Sequence, residues 1–193
     1  MTKEEAKNLA RLKLSDERFY HTECVAQAAC KLAQMYGGDS ERAMTAAYLH
    51  DILKETPLDD LLKIIKSSDI ISYKAVEDST SLWHAYAGGI WVKTELLLDD
   101  EIADAVMYHT SGRANMTLLG KIVFLADYIS EDRDFRGTDE VRAIAKSSIN
   151  DACKTALRNQ LIHLIKQGRT IDLNSVAAFN YFLKLEVLKE NGK

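Results

Sequence analysis

Residues 16–36, DERFYHTECVAQAACKLAQMY, place Phe19, Val25, Ala28, Ala29, Leu32 and Met35 or Tyr36 at helical spacing, and Gly37-Gly38 follows as a C-terminal stop. His21 lies inside this predicted helix. The same period spreads outward through the chain. Asp39 or Ser40 caps a helix carrying Ala43, Ala46, Ala47, Leu49 and Ile52, with His50 and Asp51 near its end, until Pro57 biases Thr56 away from helical dihedrals. Further helices are expected over 58–65, 82–98 and from Asp99-Asp100 through Ile102, Ala105, Val106 and His109 to a stop at Gly112. Others are expected over 117–129, 139–167 and 175–190, with an irregular connection at 67–81. In the 82–98 helix the small run Ala85, Ala87, Gly88 and Gly89 admits a second backbone at close range. Pro57 is the only proline, and strand-type alternation is scarce. The expected class is therefore all-α, a helical bundle with additional C-terminal helices, read as one domain over 1–193.

Composition agrees with a compact fold and narrows the partners. The 193 residues are 47% hydrophobic and 28% charged, ordinary for one domain with a sizeable core. A net charge of -4 and a pI near 5.8 argue against a nucleic-acid polymer or an anionic membrane, and leave small anionic ligands open. Residues 1–14 are Lys/Glu-rich with no long apolar run, so a soluble, cytoplasmic protein is expected. Cys24, Cys30 and Cys153 form no CxxC pair and are read as reduced packing residues.

A set of titratable residues interrupts the apolar pattern. His21, His50-Asp51, His84, His109 and Asp127 fall on apolar helices, and burying so many such groups without partners would cost several kcal/mol. A shared cation would satisfy them together. Neighbours on a helix point about 100° apart, so aiming both His50 and Asp51 at one ion favours a helix end or a facing helix. Two imidazoles with two carboxylates suit iron, manganese or another octahedral-capable ion better than a structural zinc. Lys54 follows Asp51 by three residues and reaches the same place if the helix continues that far. His163 lies in a polar C-terminal segment and is read as structural or surface. No P-loop or nucleophile-elbow motif is present.

The H...HD...D spacing of His21, His50-Asp51 and Asp127 matches the signature of HD-superfamily metallohydrolases. The stretches AYLHDILKETP (47–57), LWHAYAGG (82–89), YHTSG (108–112) and FLADYISEDRDFRG (124–137) are more specific. Together they resemble the YqeK-type family of symmetrical diadenosine tetraphosphate hydrolases, over about residues 20–180. The resemblance implies a five-helix HD core and one iron, alternatively manganese or another divalent metal, held by His21, His50, Asp51 and Asp127. It implies hydrolysis of a dinucleoside polyphosphate into two ADP, with Asp51, Lys54, His84 and His109 as catalytic groups. His21, Lys54, His84, His109, Thr110, Asp127 and Arg133 are then expected to face the nucleotide. The run Ile171, Asp172, Leu173, Asn174, Ser175 and Val176 is expected to line the nucleoside end. Ala114 and Arg136 stand where the family usually has prolines, and Phe179 where it commonly has a basic residue. Three matters stay open: whether His84 and His109 bind phosphate or a second metal bridged through Asp51, whether the protein forms a homodimer, and which base is preferred. The rival readings are an HD phosphohydrolase for another nucleotide, a diiron HD oxygenase and a non-catalytic nucleotide sensor.

Overall fold

Helical spacing and capping residues produce the expected elements. The computed structural model describes the chain through residue 191 and, over that span, contains eleven α-helices, one short 3-10 turn and no strand. They are α1 (Lys3–Lys13), α2 (Asp16–Tyr36), α3 (Ser40–Leu49), α4 (Leu58–Lys66), α5 (Tyr73–Val76), α6 (Trp83–Thr94), α7 (Asp100–Met107), α8 (Leu118–Ile129), α9 (Thr138–Ile144), α10 (Ile149–Lys166) and α11 (Leu173–Asn191). Ser15 caps α2, which stops at Gly37 with φ +70°, a left-handed conformation that glycine adopts without a Cβ clash. The Asp39 carboxylate accepts from the Glu41 and Arg42 amides, Asp99 does the same for α7, and Thr117 caps α8.

Four details differ from the sequence-based expectation. Residues 1–14 carry α1, closed by a Thr2–Glu5 capping box; its buried stripe is only Ala6 and Ala10, too small to register as an apolar run. The helix expected over 139–167 is two helices, because Ser147 bonds back to the Ile144 carbonyl and Ser148 caps α10 by accepting from the Asp151 amide. The 67–81 connection contains α5 and the turn Thr80–Leu82. His109 and Lys54 lie in turns beyond α7 and α3, outside regular helix.

Buried residues from Ala6 to Phe182 form one continuous apolar core. Within it α2 lies against α3 and α8, α6 against α7, and α7 against α8, while α10 braces α8, α9 and α11. The α6–α7 contact depends on Gly89. A Cβ there would sit 2.4 Å from Met107 Cβ and 2.8 Å from the Ala103 carbonyl oxygen, so only glycine permits this approach. That close packing fixes the position of His84, near the start of α6, relative to His109, just past α7. No helix of the described residues is long and apolar enough to cross a membrane.

Candidate active site

Five elements deliver their polar side chains to one buried point. His21 comes from α2, His50 caps the C-terminus of α3, Asp51 follows in the turn, and Asp127 lies in the last turn of α8. His84 and His109 approach from α6 and from the turn after α7. Of these, His21, His50, Asp51, His84 and His109 are each less than a tenth exposed. At the end of α3 the adjacent pair shares a target, with His50 Nε2 and Asp51 Oδ2 3.6 Å apart.

The histidine tautomers are set by acceptors behind them. Nδ1 of His50 lies 2.6 Å from the Ala47 carbonyl and Nδ1 of His109 lies 2.7 Å from the Val106 carbonyl; a carbonyl only accepts, so both Nδ1 atoms carry the proton. His21 Nδ1 likewise donates to Asp132 Oδ2 at 2.6 Å. Each ring therefore turns an Nε2 lone pair toward the carboxylates. His21 Nε2 is 3.1 Å from Asp127 Oδ1, and His50 Nε2 is 3.6 Å from Asp51 Oδ2 and 4.0 Å from Asp127 Oδ1. His84 and His109 place Nε2 at 3.3 and 3.5 Å from Asp51 Oδ1.

Lone pairs facing carboxylates repel unless positive charge lies between them. Two of the deepest atoms, His50 Nε2 and Asp51 Oδ1, are buried without a hydrogen-bond partner. Orphaned buried acceptors of this kind are costly, and the donor set of imidazole nitrogen and carboxylate oxygen is what a divalent cation takes. Two groups have ligand atoms close enough for one ion, His21 with His50 and Asp51, and Asp51 with His84 and His109. The residues fit a metal.

The chain's own cations ring the cluster. Arg18 Nη1 lies 3.1 Å from Asp51 Oδ2, Arg133 Nη2 donates to Asp127 Oδ1 at 2.6 Å, and Lys54 Nζ donates to His84 Nε2 at 3.0 Å while standing 3.7 Å from Asp51 Oδ1. Burial alone would raise the Asp51 carboxyl, but His50, His109 and His84 outweigh it and hold it well below the usual carboxylate range. Asp127 is held low against its burial by its contact with His21 and by the neighbouring His50 and Arg133. Burial pushes His50 down to about 4 and also lowers His84, so both are neutral at pH 7. For His21 burial is overcome by Asp127 and Asp132, and its pKa rises.

Two cavities open from this cluster. One, of about 570 Å³, reaches it at His109, Asp127 and Arg133 and is walled by Phe124, Tyr128 and Phe135. The other, of about 550 Å³, reaches it at Lys54 and His84 and is walled by Ser79, Thr80, Asp172 and Ser175. Both include Thr110, Gln160 and His163.

The residues expected at the site are thus mostly brought together. Asp172 is buried, accepting from Ser79 and Tyr86, and with Ser175 it faces the second cavity. Asn174 instead donates to the Tyr86 hydroxyl, and Ile171 is half-buried outside the cavity walls. Leu173 and Val176 are exposed on the outer side of α11 and line neither cavity, because successive helical residues point apart. His163 is exposed as expected, yet its ring borders both cavities. Sequence reasoning passed over Arg18, Asp132 and Gln160. Arg18 stood one helical turn before His21, a usable signal. Asp132 and Gln160 carried none.

The HD domain family matches residues 18–132, a span that includes His21, His50, Asp51, His84, His109 and Asp127. A symmetrical bis(5'-nucleosyl)-tetraphosphatase of Bacillus subtilis (strain 168) is 35% identical over 184 residues, covering 95% of this chain and 98% of that protein. A protein of the same description from Halalkalibacterium halodurans is 35% identical over 188 residues, covering 95% and 98%. A crystal structure from Clostridium acetobutylicum, described as a predicted HD superfamily hydrolase involved in NAD metabolism, superposes with a TM-score of 0.88 at 31% identity over 94% of this chain and 96% of its own. The chain belongs to the HD domain family and, within it, to the family of the symmetrical bis(5'-nucleosyl)-tetraphosphatases.

Proposed function

We propose that the protein hydrolyses diadenosine tetraphosphate to two ADP, with His21, His50, Asp51 and Asp127 holding one divalent cation. The carrying observation is the buried cluster with its unpartnered ligand atoms, ringed by Lys54, Arg18 and Arg133 and bordered by two nucleotide-sized cavities. A bound cation supplies Lewis-acid polarisation of a phosphoryl oxygen and acidifies a water. Iron is the proposed ion, with manganese as the alternative, on the strength of the mixed nitrogen and oxygen donors. The three free cysteines agree with a reducing, cytoplasmic setting.

The side chains do the rest by position and charge. Lys54 is anchored to neutral His84 and presents its ammonium where the second cavity meets the cluster, where a tetraphosphate brings several negative charges. Arg133 stands at the corresponding place in the first cavity. Because the Lys54 ammonium already faces both His84 and Asp51, we assign His84 and His109 to phosphate contact and not to a second ion. The departing ADP is a stable anion, so these cations act by offsetting charge that grows as the phosphorus–oxygen bond breaks. Among the 171–176 residues, Asp172 and Ser175 bound the nucleoside end.

Product analysis in oxygen-18 water tests the proposal. Two ADP per substrate, one carrying the label on its terminal phosphate, is the expected result. ATP plus AMP, or unlabelled ADP, would refute symmetrical hydrolysis by water.

A further inference from the structure

We infer that the aromatic cavity beside Asp127 and Arg133 is the seat of the second nucleoside of the substrate, which it holds by stacking against Phe135. The inference rests on the proposed hydrolysis of a dinucleoside tetraphosphate and adds where each half lies. A symmetrical cut places the same nucleoside diphosphate on either side of the reacting phosphorus. The structure offers two chambers to match: about 570 and 550 Å³, each large enough for one nucleotide, one reaching the ligand cluster at His109 and Asp127, the other at His84, and the two adjoining at Thr110, Gln160 and His163. Arg133 stands where one chamber meets the cluster and Lys54 where the other does, so a tetraphosphate running between the chambers passes both cations.

The chambers are built from different chemistry. The second has hydroxyls and carboxylates, with Asp172 held rigid by Ser79 Oγ at 2.8 Å and the Tyr86 hydroxyl at 2.7 Å. The first is walled by rings. Tyr128 and Phe135 meet edge to face at 5.0 Å, which fixes Phe135 while leaving it 44% exposed. An exposed aromatic ring held still by a neighbour is a platform for a flat base, and a stacked base is worth about 1–3 kcal/mol whatever its identity. Where the chambers meet, Gln160 Nε2 donates to the Thr110 carbonyl at 3.0 Å, which orients the amide and leaves its Oε1 buried without a partner. That oxygen is an acceptor for an amino or hydroxyl group of the bound nucleotide. The two ends of a chemically symmetrical substrate are therefore recognised unequally, one by hydrogen bonds and the other by stacking.

The test compares kcat/KM for diadenosine tetraphosphate, cut by water into two ADP, with kcat/KM for adenosine 5'-tetraphosphate, cut by water into ADP and pyrophosphate. The mononucleotide lacks the nucleoside assigned to the aromatic chamber. In Phe135→Ala the preference for the dinucleotide should fall about 5- to 150-fold, the stacking free energy converted to a ratio, and Phe135→Trp should keep or raise it. Equal Tm for the variants and the parent shows that the fold is intact. An unchanged preference in Phe135→Ala, or an equal loss on both substrates, overturns the assignment of the aromatic chamber. Failure of the parent enzyme to form two ADP overturns the activity on which it rests, a different and separately visible outcome.

Discussion

Removing the carboxylate behind His21 should weaken the metal site without touching a metal ligand. Asp132 Oδ2 accepts from His21 Nδ1 at 2.6 Å, a short charge-assisted bond, and the Asp132 side chain is only 18% exposed. This bond holds the proton on Nδ1, so that Nε2 faces Asp127 as a lone pair, and it makes the ring a stronger donor to a cation. Loss of such a supporting group typically costs 10- to 100-fold in metal affinity, or about 1.4–2.8 kcal/mol. Asp132→Ala should show that full loss. Asp132→Asn keeps an acceptor oxygen but no charge, and should fall between Asp132→Ala and the parent. Competition with a chelator of known affinity, followed by metal analysis, measures it, and turnover at saturating cation should recover most of the parent rate. If Asp132→Ala binds the cation as tightly as the parent, the orientation of His21 does not depend on Asp132 and the reasoning fails.

Lys54→Ala should retain bound metal and lose roughly 10²- to 10³-fold in turnover, the scale of one charge-stabilising donor; steady-state kinetics alongside metal content checks it, and an unchanged kcat would return Lys54 to solvent. Cation binding should release a proton from His21, whose pKa is raised above the ordinary 6.5 by Asp127 and Asp132. The proton is held below that raised pKa, so affinity is complete above it and declines as pH falls through it. Calorimetry in two buffers of different ionisation enthalpy should show proton release that grows as pH falls through the raised pKa and vanishes well above it. No release anywhere in that window would exclude His21 Nε2 as a ligand. Gly89→Ala should lower stability by about 1–3 kcal/mol, because the new Cβ meets Met107 and the Ala103 carbonyl, whereas Gly88→Ala meets only Val106 Cγ1 at 3.4 Å and should change Tm little; equal effects of the two would dismiss the close α6–α7 contact.

The sequence by itself determined most of the helices and named most of the metal and phosphate candidates. Periodicity and caps act within a few residues, so Asp16–Tyr36, the Asp39 and Thr117 caps and the close approach at Gly89 were all legible. Adjacent His50 and Asp51 at a helix end were legible too, because two polar groups in an apolar stretch need a common partner. The break before Ser148 was not, since one pattern of apolar residues continues across it and only the serine hydrogen bonds interrupt the backbone. Nor were the partners of the site. Arg18 and Asp51 are 33 positions apart, His21 and Asp132 are 111 apart, and Gln160 reaches Thr110 across 50. Helix packing decides those encounters, and so it was the tertiary structure that divided the space around one ligand cluster into a polar and an aromatic chamber. No spacing rule within a single helix encodes which side chains of α8 and α10 and of the loop between α8 and α9 will face each other, because their separation is set by the whole core between them.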